Sequence, residues 1–181
     1  MKNKECVILT GMPGSGKSTI GALLARALDM PFVDTDRLIE SLYGRRLEDI
    51  TRALPREEFL DVECGIIKVL DLPGCVIATG GSVIYREDAM RHLGQLGAII
   101  YLELPFSEVL ERVGRNPERG ISFGAGQSLK DLFEERIGLY QKYADLKCDT
   151  GALNPGECVR HICAMLEQRA NRTCAGQPRV S

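Results

Sequence analysis

Short apolar runs alternate along this chain with longer segments in which apolar residues recur every three or four positions. The runs predict five β-strands, at Cys6–Thr10, Phe32–Asp34, Cys75–Thr79, Ala98–Leu102 and Leu146–Asp149. The periodic segments predict helices, which include Ser18–Leu28, Leu47–Val69, Phe106–Val113, Leu129–Tyr143 and Pro155–Arg169. Regular alternation of strands and helices favours an α/β fold in which helices cover both faces of a parallel sheet.

The length of the chain and its composition predict one domain. A chain of 181 residues can bury a sizeable core as a single unit, which we expect to span residues 1–169. Residues 114–127 are rich in Gly and Arg and lack helical periodicity, so we expect a mobile lid there. Residues 170–181 are polar, and we expect them to form a flexible C-terminal tail.

Charge and hydropathy limit the partners. The net charge is −2, with Lys and Arg spread along the chain, which argues against nucleic acid or an anionic membrane as a partner. No apolar run approaches the ~20 residues that span a bilayer, and the first strand begins too early for a signal peptide. No long heptad pattern forces association. We therefore expect a cytoplasmic monomer.

The cysteines do not suggest a metal or disulfide framework. The chain has seven Cys and two His and no Cys-x-x-Cys pair. Cys6, Cys75 and Cys148 lie in predicted strands, where we expect them to pack as small hydrophobic residues.

A glycine-rich loop stands between the first predicted strand and the first predicted helix. It reads Gly11-Met12-Pro13-Gly14-Ser15-Gly16-Lys17-Ser18-Thr19. Glycines allow backbone N–H groups to point into the loop, and the helix that follows turns its positive end toward the same place. Lys17 could reach the outer phosphates of a nucleotide, and the Ser18 hydroxyl could ligate Mg²⁺. The loop therefore predicts a nucleotide-phosphate site formed by Gly11, Gly14, Ser15, Gly16, Lys17, Ser18 and Thr19.

Polar residues follow the second and third strands, at the sheet edge where ligands of such folds bind. An extended chain would point Asp34 and Asp36 the same way, so that one could hold a metal while the other orients an attacking hydroxyl and accepts its proton. Alternatively, one of them caps the helix that begins near Arg37. Gly80 and Gly81 would allow close approach of the backbone to a ligand, with N–H groups free to donate, or they form an ordinary turn.

Arginines in and before the predicted lid are the third candidate group. Arg112, Arg115 and Arg119 occur within eight residues. A lid arginine can close over transferring phosphates and exclude water. Alternatively, these arginines form a solvated basic loop.

At this point the chain resembles the shikimate kinase family of small P-loop kinases, in order over roughly residues 5 to 167. The resemblance rests on the glycine-rich loop, on Phe32-Val33-Asp34-Thr35-Asp36, on Phe59 through Glu63, on Thr79-Gly80-Gly81, on Arg115-Asn116 and Arg119, on Arg136 with Leu139-Tyr140, and on Asn154-Pro155-Gly156. It implies a three-layer α/β fold with a five-stranded parallel sheet in the order 2-3-1-4-5. It also implies ATP with Mg²⁺ as phosphate donor and in-line transfer to a small hydroxy-carboxylate acceptor.

The resemblance also implies roles for single residues. On the ATP side, Lys17 would stabilise the transferred phosphoryl group, Ser18 and Asp34 would serve Mg²⁺, Arg119 would close over the phosphates, Arg112 would lie against adenine, and Asn154 and Pro155 would border the adenine pocket. On the acceptor side, Asp36 would hold the hydroxyls, Gly80 and Gly81 would offer backbone contacts, and Arg136 would bind the carboxylate. The catalytic residues would be Lys17, Asp36 and Arg119.

Departures from the family pattern cluster around the acceptor. Leu60 stands where the family carries a carboxylate-binding arginine, and Ser82 replaces a third glycine. Either the acceptor is shikimate and Arg56, one helical turn before Leu60, compensates, or the acceptor is another small hydroxy acid, with homoserine first. Two hypotheses come from other functional classes: a nucleoside monophosphate kinase and a non-catalytic ATP-binding module. The sequence predicts an ATP-dependent phosphotransferase acting on shikimate, with homoserine kinase activity as the alternative.

Overall fold

A five-stranded parallel sheet forms the centre of the computed structural model, which describes residues 5–115 and 120–175, without the side chains of 173–175. The strands are β1 (Cys6–Thr10), β2 (Phe32–Asp34), β3 (Val76–Ala78), β4 (Gly97–Glu103) and β5 (Leu146–Asp149). The helices are α1 (Lys17–Leu28), α2 (Thr35–Tyr43), α3 (Leu47–Ala53), α4 (Arg56–Lys68), α5 (Glu87–Leu96), α6 (Phe106–Gly114), α7 (Leu129–Tyr143) and α8 (Pro155–Ala175), with a 3₁₀ turn at Val83–Tyr85.

The strand order is β2-β3-β1-β4-β5, which confirms the predicted order. All neighbouring strands are parallel; Leu9 of β1, for example, pairs with Ala78 on one side and Ile100 on the other. Because β1 lies in the middle and all strands run the same way, the segments that follow β1, β2 and β3 emerge at one edge of the sheet.

Both faces of the sheet are covered, because side chains alternate between faces along each strand. Ile8 of β1 belongs to the cluster that includes Met90 and Leu93 of α5. Its neighbour Leu9 belongs to the opposite cluster, with Leu24 of α1 and Ile162 of α8. Cys6, Cys75 and Cys148 are buried in these cores as expected.

Several helix boundaries differ from the prediction. The segment expected as one helix over Leu47–Val69 is two helices, because Pro55 favours an extended conformation at Leu54, whose φ and ψ are −101° and 140°. Helix α2 begins at Thr35, close to the helix start expected near Arg37, whereas α5 was not predicted as a separate element. Helix α8 continues to Ala175, so residues 170–175 are helical where a flexible tail was expected. Within the described residues, no helix combines the length and the apolarity needed to cross a membrane.

Candidate active site

The glycine-rich loop turns sharply from β1 into α1. Gly16 has φ +90° immediately before the helix begins at Lys17, a left-handed conformation that side chains rarely adopt. Gly11 has φ +148°, and a Cβ there would come within 2.6 Å of the carbonyl oxygen of Leu102 in β4. The loop is therefore shaped by glycine at these two positions, and it presents the N-terminus of α1, with its first-turn N–H groups, to the sheet edge.

The Lys17 ammonium group lies at the mouth of this loop. The side chain is 3% exposed, and its Nζ donates hydrogen bonds to the carbonyl oxygens of Gly11 (2.7 Å) and Met12 (3.0 Å). Ser15 is also fully buried in the loop. Ser18 follows in the first turn of α1, where its side chain is half-buried, and Thr19 is exposed.

One pocket, of about 290 Å³, lies on the outer side of the loop. Its lining residues come from the loop, α1, α6 and the segment from β5 to α8: Gly14, Ser15, Gly16, Thr19, Ile20, Arg112, Thr150, Leu153, Pro155 and Cys158. Arg112 joins the two sides, because its Nη1 donates to the Gly14 carbonyl (3.2 Å) and its Nη2 to the Thr150 carbonyl (3.4 Å). The structure thus brings Arg112 and Pro155 to the loop, as expected for a nucleotide-base pocket.

The side chain of Asn154, which was expected to border the adenine pocket together with Pro155, bonds within its own turn. Its side-chain Oδ1 accepts from the backbone N–H of Glu157, whose carboxylate accepts in return from the backbone N–H of Asn154. Asn154 is therefore the N-terminal cap of α8 and is not among the residues that line the pocket. It supports Pro155, which does line it.

The two acids after β2 do not extend side by side as predicted. Asp34 caps α2, because its Oδ1 accepts from the backbone N–H groups of Asp36 (3.1 Å) and Arg37 (3.4 Å). The alternative reading as a helix cap is therefore correct for Asp34, and the chain is already helical at Asp36. The Asp36 side chain nevertheless faces the site, where it lines the second pocket.

The second pocket lies on the inner side of the loop and is nearly filled, with about 20 Å³ of space, enough for about one water molecule. It is lined by Pro13, Lys17, Asp36, Leu47, Phe59, Glu63, Gly81, Ser82, Gly120, Ile121, Ser122 and Arg136. Gly120 packs against α3, where a Cβ would come within 2.9 Å of Leu47. The described part of the predicted lid, residues 120–127, is therefore irregular in conformation but packed over this pocket. Its mobility stays a prediction.

Arg136 of α7 is the largest buried cation of the described chain, at 1% exposure. Its Nε donates to the hydroxyl of Tyr85 (3.2 Å) and one Nη donates to the carbonyl of Ser122 (3.2 Å). The other Nη points at Gly81, where a Cβ would come within 2.9 Å of it. This position suits the expected contact with an acceptor carboxylate.

The two glycines after β3 have different roles. The Gly80 N–H donates to the hydroxyl of Thr35 (3.0 Å), so it is not free to bind a ligand as predicted. Gly81 lines the pocket, and its carbonyl accepts from the Tyr140 hydroxyl (2.6 Å). Of the pair, Gly81 is therefore the one placed to contact an acceptor.

Glu63 of α4 was not predicted as a site residue. It is 4% exposed, it lines the second pocket, and its carboxylate accepts from the Ser82 hydroxyl. Its pKa is raised from 4.5 to about 8, first because burial disfavours the charged form and second because the Asp36 carboxylate is close. The hydroxyl of Ser82 and the positive charges of Arg136 and Lys17 offset part of this shift. Phe59, one helical turn earlier, lines the same pocket. This spacing on one face of α4 was the signal in the sequence that could have identified Glu63.

The expected replacement for the missing arginine does not reach the pocket. Leu60 is 2% exposed, and neither Leu60 nor Arg56 is among the lining residues. The Arg56 guanidinium instead lies over the ring of Tyr85, 4.7 Å from its centroid, and pairs with Glu135 at 3.4 Å.

The structure does not test the roles that were predicted for the lid arginines. Arg119 lies outside the described residues. Arg115 is 74% exposed at the end of α6, where it pairs with Glu111. The structure therefore brings Lys17, Asp36, Gly81 and Arg136 together on one side of the loop, and Arg112 and Pro155 on the other.

Comparison with known proteins shows which family the chain resembles over most of its length. A family model described as "Shikimate kinase" matches residues 13–167. Curated relatives include shikimate kinase of Persephonella marina, 35% identical over 86% of this chain and 95% of its own, and shikimate kinase of Mycobacterium leprae, 34% identical over 96% of this chain and 88% of its own.

Solved structures give the same result. Shikimate kinase from Acinetobacter baumannii, in complex with shikimate, superimposes with a TM-score of 0.84 at 27% identity, over 93% of this chain and 96% of that one. Shikimate kinase from Aquifex aeolicus gives a TM-score of 0.77 at 33% identity, over 91% and 98% of the two chains.

Proposed function

The chain belongs to the shikimate kinase family, and on that premise we propose that it transfers the γ-phosphoryl group of ATP to a hydroxyl of shikimate. Membership makes it an ATP-dependent kinase, a phosphotransferase. One observation supports the full reaction most directly. The glycine-rich loop is the wall between two pockets, with Gly14 to Gly16 on the outer one and Pro13 and Lys17 on the inner one. A nucleotide held on the outer side would direct its terminal phosphate toward an acceptor on the inner side.

The reaction we propose is an in-line displacement. The acceptor oxygen forms a bond to the γ-phosphorus while the bond from that phosphorus to the bridging oxygen of ADP breaks. The Asp36 carboxylate orients the acceptor hydroxyl and accepts its proton. Lys17 and the first-turn N–H groups of α1 stabilise the charge that spreads over the transferred phosphoryl oxygens. Arg136 holds the acceptor carboxylate, and positioning supplies most of the rate enhancement.

Mg²⁺ fits the donors at this edge of the sheet. Ser18 offers a hydroxyl and Asp34 a carboxylate that is mostly buried, and Mg²⁺ prefers one or two such oxygens together with phosphate oxygens and water. Bound there, the ion would neutralise charge on the β- and γ-phosphates. The described chain holds no cluster of three or more His, Cys, Asp or Glu side chains suited to a metal, which agrees with a metal that depends on the nucleotide for its remaining ligands.

Three further assignments belong to the proposal. Arg112 would lie against the base of ATP and Arg119 would close over its phosphates. Asn154 would act through Pro155 rather than by direct contact. We also propose that the chain acts as a monomer in the cytoplasm.

Homoserine is not favoured as the acceptor. The relatives and the first two solved structures reported above carry the name shikimate kinase, and the A. baumannii structure holds shikimate. Both alternatives depend on Arg136, which lines the inner pocket and would hold the acceptor carboxylate in either case. Loss of the arginine at position 60 therefore changes how an acceptor carboxylate is held rather than which class of acceptor is used.

The test is ADP release measured with purified protein, MgATP and one acceptor at a time: shikimate, homoserine, AMP, or none. We expect turnover with shikimate, and at least tenfold less with each alternative. Lys17→Ala should lower turnover by well over tenfold, more than about 1.4 kcal/mol in the barrier, while Lys68→Ala, which removes an exposed lysine of α4, should leave it unchanged. Homoserine or AMP as the best acceptor would overturn the proposal. So would a Lys17→Ala enzyme that keeps more than about a tenth of the wild-type rate.

A further inference from the structure

We propose that Tyr85, Glu135 and Arg56 are positioning residues that hold Arg136 in place for the acceptor carboxylate, in a chain whose second carboxylate-binding arginine is Leu60. The inference rests on the proposed function, since it concerns the acceptor of that reaction. It differs from direct replacement by Arg56, because none of the three supporting residues lines the acceptor pocket.

The donors of Arg136 show how its side chain is held. Tyr85 accepts from Nε at 3.2 Å, and the Ser122 carbonyl accepts from one Nη at 3.2 Å. The guanidinium also lies 5.3 Å from the centroid of the Tyr85 ring. The remaining Nη is directed at Gly81, on the pocket wall. Tyr85 and Ser122 thus fix two of the three guanidinium nitrogens, and the Tyr140 hydroxyl, which also interacts with Arg136, lies on the side of Gly81.

Glu135 in turn holds Tyr85. The Tyr85 hydroxyl accepts from Arg136, and it is close enough to the Glu135 carboxylate to raise its own pKa and to lower the pKa of Glu135. The same carboxylate accepts from the amide of Gln127 and pairs with Arg56 at 3.4 Å. Although partial burial acts to raise it, the pKa of Glu135 is lowered by hydrogen bonds from Tyr85 and Gln127 and by the charge of Arg56. Glu135 is therefore held as an anion with partners on three sides.

Arg56 completes the arrangement from outside. Its guanidinium lies over the Tyr85 ring at 4.7 Å and is about a quarter exposed, whereas Arg136 is buried. Two cations near one ring repel each other, and the Glu135 carboxylate, which pairs with Arg56, offsets that repulsion. Arg56 and Glu135 are thus the partly exposed end of the arrangement, and Tyr85 connects them to the buried Arg136.

This support matters here because of Leu60. A single arginine then binds the acceptor carboxylate. If its side chain is mobile in the free protein, the conformational entropy that it loses on binding lowers the affinity. A guanidinium already fixed in the binding orientation avoids this loss. Removing the support should therefore weaken binding of the carboxylate while leaving the ATP side and the chemical step unchanged.

The test compares Tyr85→Phe, Glu135→Gln and Arg56→Gln with the wild-type protein. Arg52→Gln, which removes an exposed arginine of α3, is the control, and Arg56→Lys is the conservative rescue. Calorimetric titration gives the Kd for shikimate and for shikimate carboxamide, in which the carboxylate is replaced by a neutral amide. Steady-state kinetics give kcat and KM, and thermal unfolding shows that each variant is folded.

We expect Tyr85→Phe and Glu135→Gln to raise the Kd and KM for shikimate about five- to tenfold, the effect of one lost charge-assisted contact, and Arg56→Gln to raise them about threefold. Binding of the carboxamide, kcat and the KM for ATP should change less than twofold, and Arg56→Lys should recover most of the loss. Equal weakening of shikimate and carboxamide, or no weakening by Tyr85→Phe, would overturn the inference. If wild-type protein binds shikimate without phosphorylating it, the proposed function fails while these Kd values still test the support. If it does not bind shikimate, both fail.

Discussion

Burial of Glu63 predicts that the protein loses stability as the pH rises from 5 to 8. Its pKa is about 8 in the folded protein against 4.5 for a free side chain. The folded protein therefore keeps a proton on Glu63 at pH values where the unfolded chain has released it. When the native state binds more protons, the free energy of unfolding falls with increasing pH. The contribution of Glu63 is fully present below about pH 4.5 and is lost as the pH rises through 8.

The magnitude follows from the shift. From 4.5 to about 8, at about 1.4 kcal/mol per pKa unit, the full contribution is about 5 kcal/mol, and about 3 kcal/mol of it is lost between pH 5 and 8. Burial is the largest cause of this shift and the Asp36 carboxylate adds to it, whereas the Ser82 hydroxyl and the cations Arg136 and Lys17 oppose it. A loss of this size is large beside the 5–15 kcal/mol typical of a whole domain.

The perturbation is Glu63→Gln, which keeps the shape of the side chain and removes its titration. Urea unfolding at pH values from 5 to 8.5 gives the free energy of unfolding of wild type, of Glu63→Gln and of Glu58→Gln, an exposed position on the same helix. From pH 5 to pH 8, the free energy of unfolding of Glu63→Gln should rise by about 3 kcal/mol relative to that of wild type. The free energy of unfolding of Glu58→Gln should change with pH as that of wild type does. If the curve of Glu63→Gln also runs parallel to wild type, Glu63 is not held protonated by its surroundings and the reasoning is wrong.

Two further substitutions test the acceptor side. Leu60→Arg should tighten shikimate binding about tenfold, because it restores a second charge-assisted contact, and it should lower the pKa of Glu63, one helical turn away. Calorimetry measures the first effect and the pH dependence of unfolding the second. Looser binding would count against shikimate as the acceptor. Gly81→Ala should raise the KM for shikimate about tenfold with the KM for ATP unchanged, because a Cβ at 2.9 Å would displace the pocket-facing nitrogen of Arg136; an unchanged KM would show that this nitrogen does not bind the acceptor.

Local pattern was enough to predict the sheet and the phosphate loop. Strands β1, β3 and β4 are apolar runs that are easy to recognise, and the geometry of the glycine-rich loop follows from its own residues. Helix boundaries needed finer signals. Helix α3 ends just before Leu54 because of the proline that follows that residue. The apolar periodicity continues through this point, so periodicity alone did not reveal the end of the helix. Helix α5 carries Ala89, Met90 and Leu93 at helical spacing, a signal that was present but not used.

The contacts of the acceptor side could not be predicted, because they join residues far apart in the chain. Glu63 and Ser82 meet only because α4 packs beside the segment after β3. Tyr85 meets Arg136 across 51 residues. Asp34 and Asp36 were expected to share an extended segment, and the reason that they do not is local. The Asp34 side chain bonds to the backbone N–H of Asp36, so Asp34 caps α2 and the chain is already helical at Asp36.

Transfer of labelled phosphate tests the central claim most directly. Incubating the protein with shikimate and MgATP labelled with ¹⁸O in the γ-phosphoryl group, and weighing the products by mass spectrometry, shows where that group goes. The account predicts a phosphate monoester of shikimate that carries the label, formed in equal amount to ADP. Label found only in inorganic phosphate, or no ADP beyond that formed without shikimate, would contradict it.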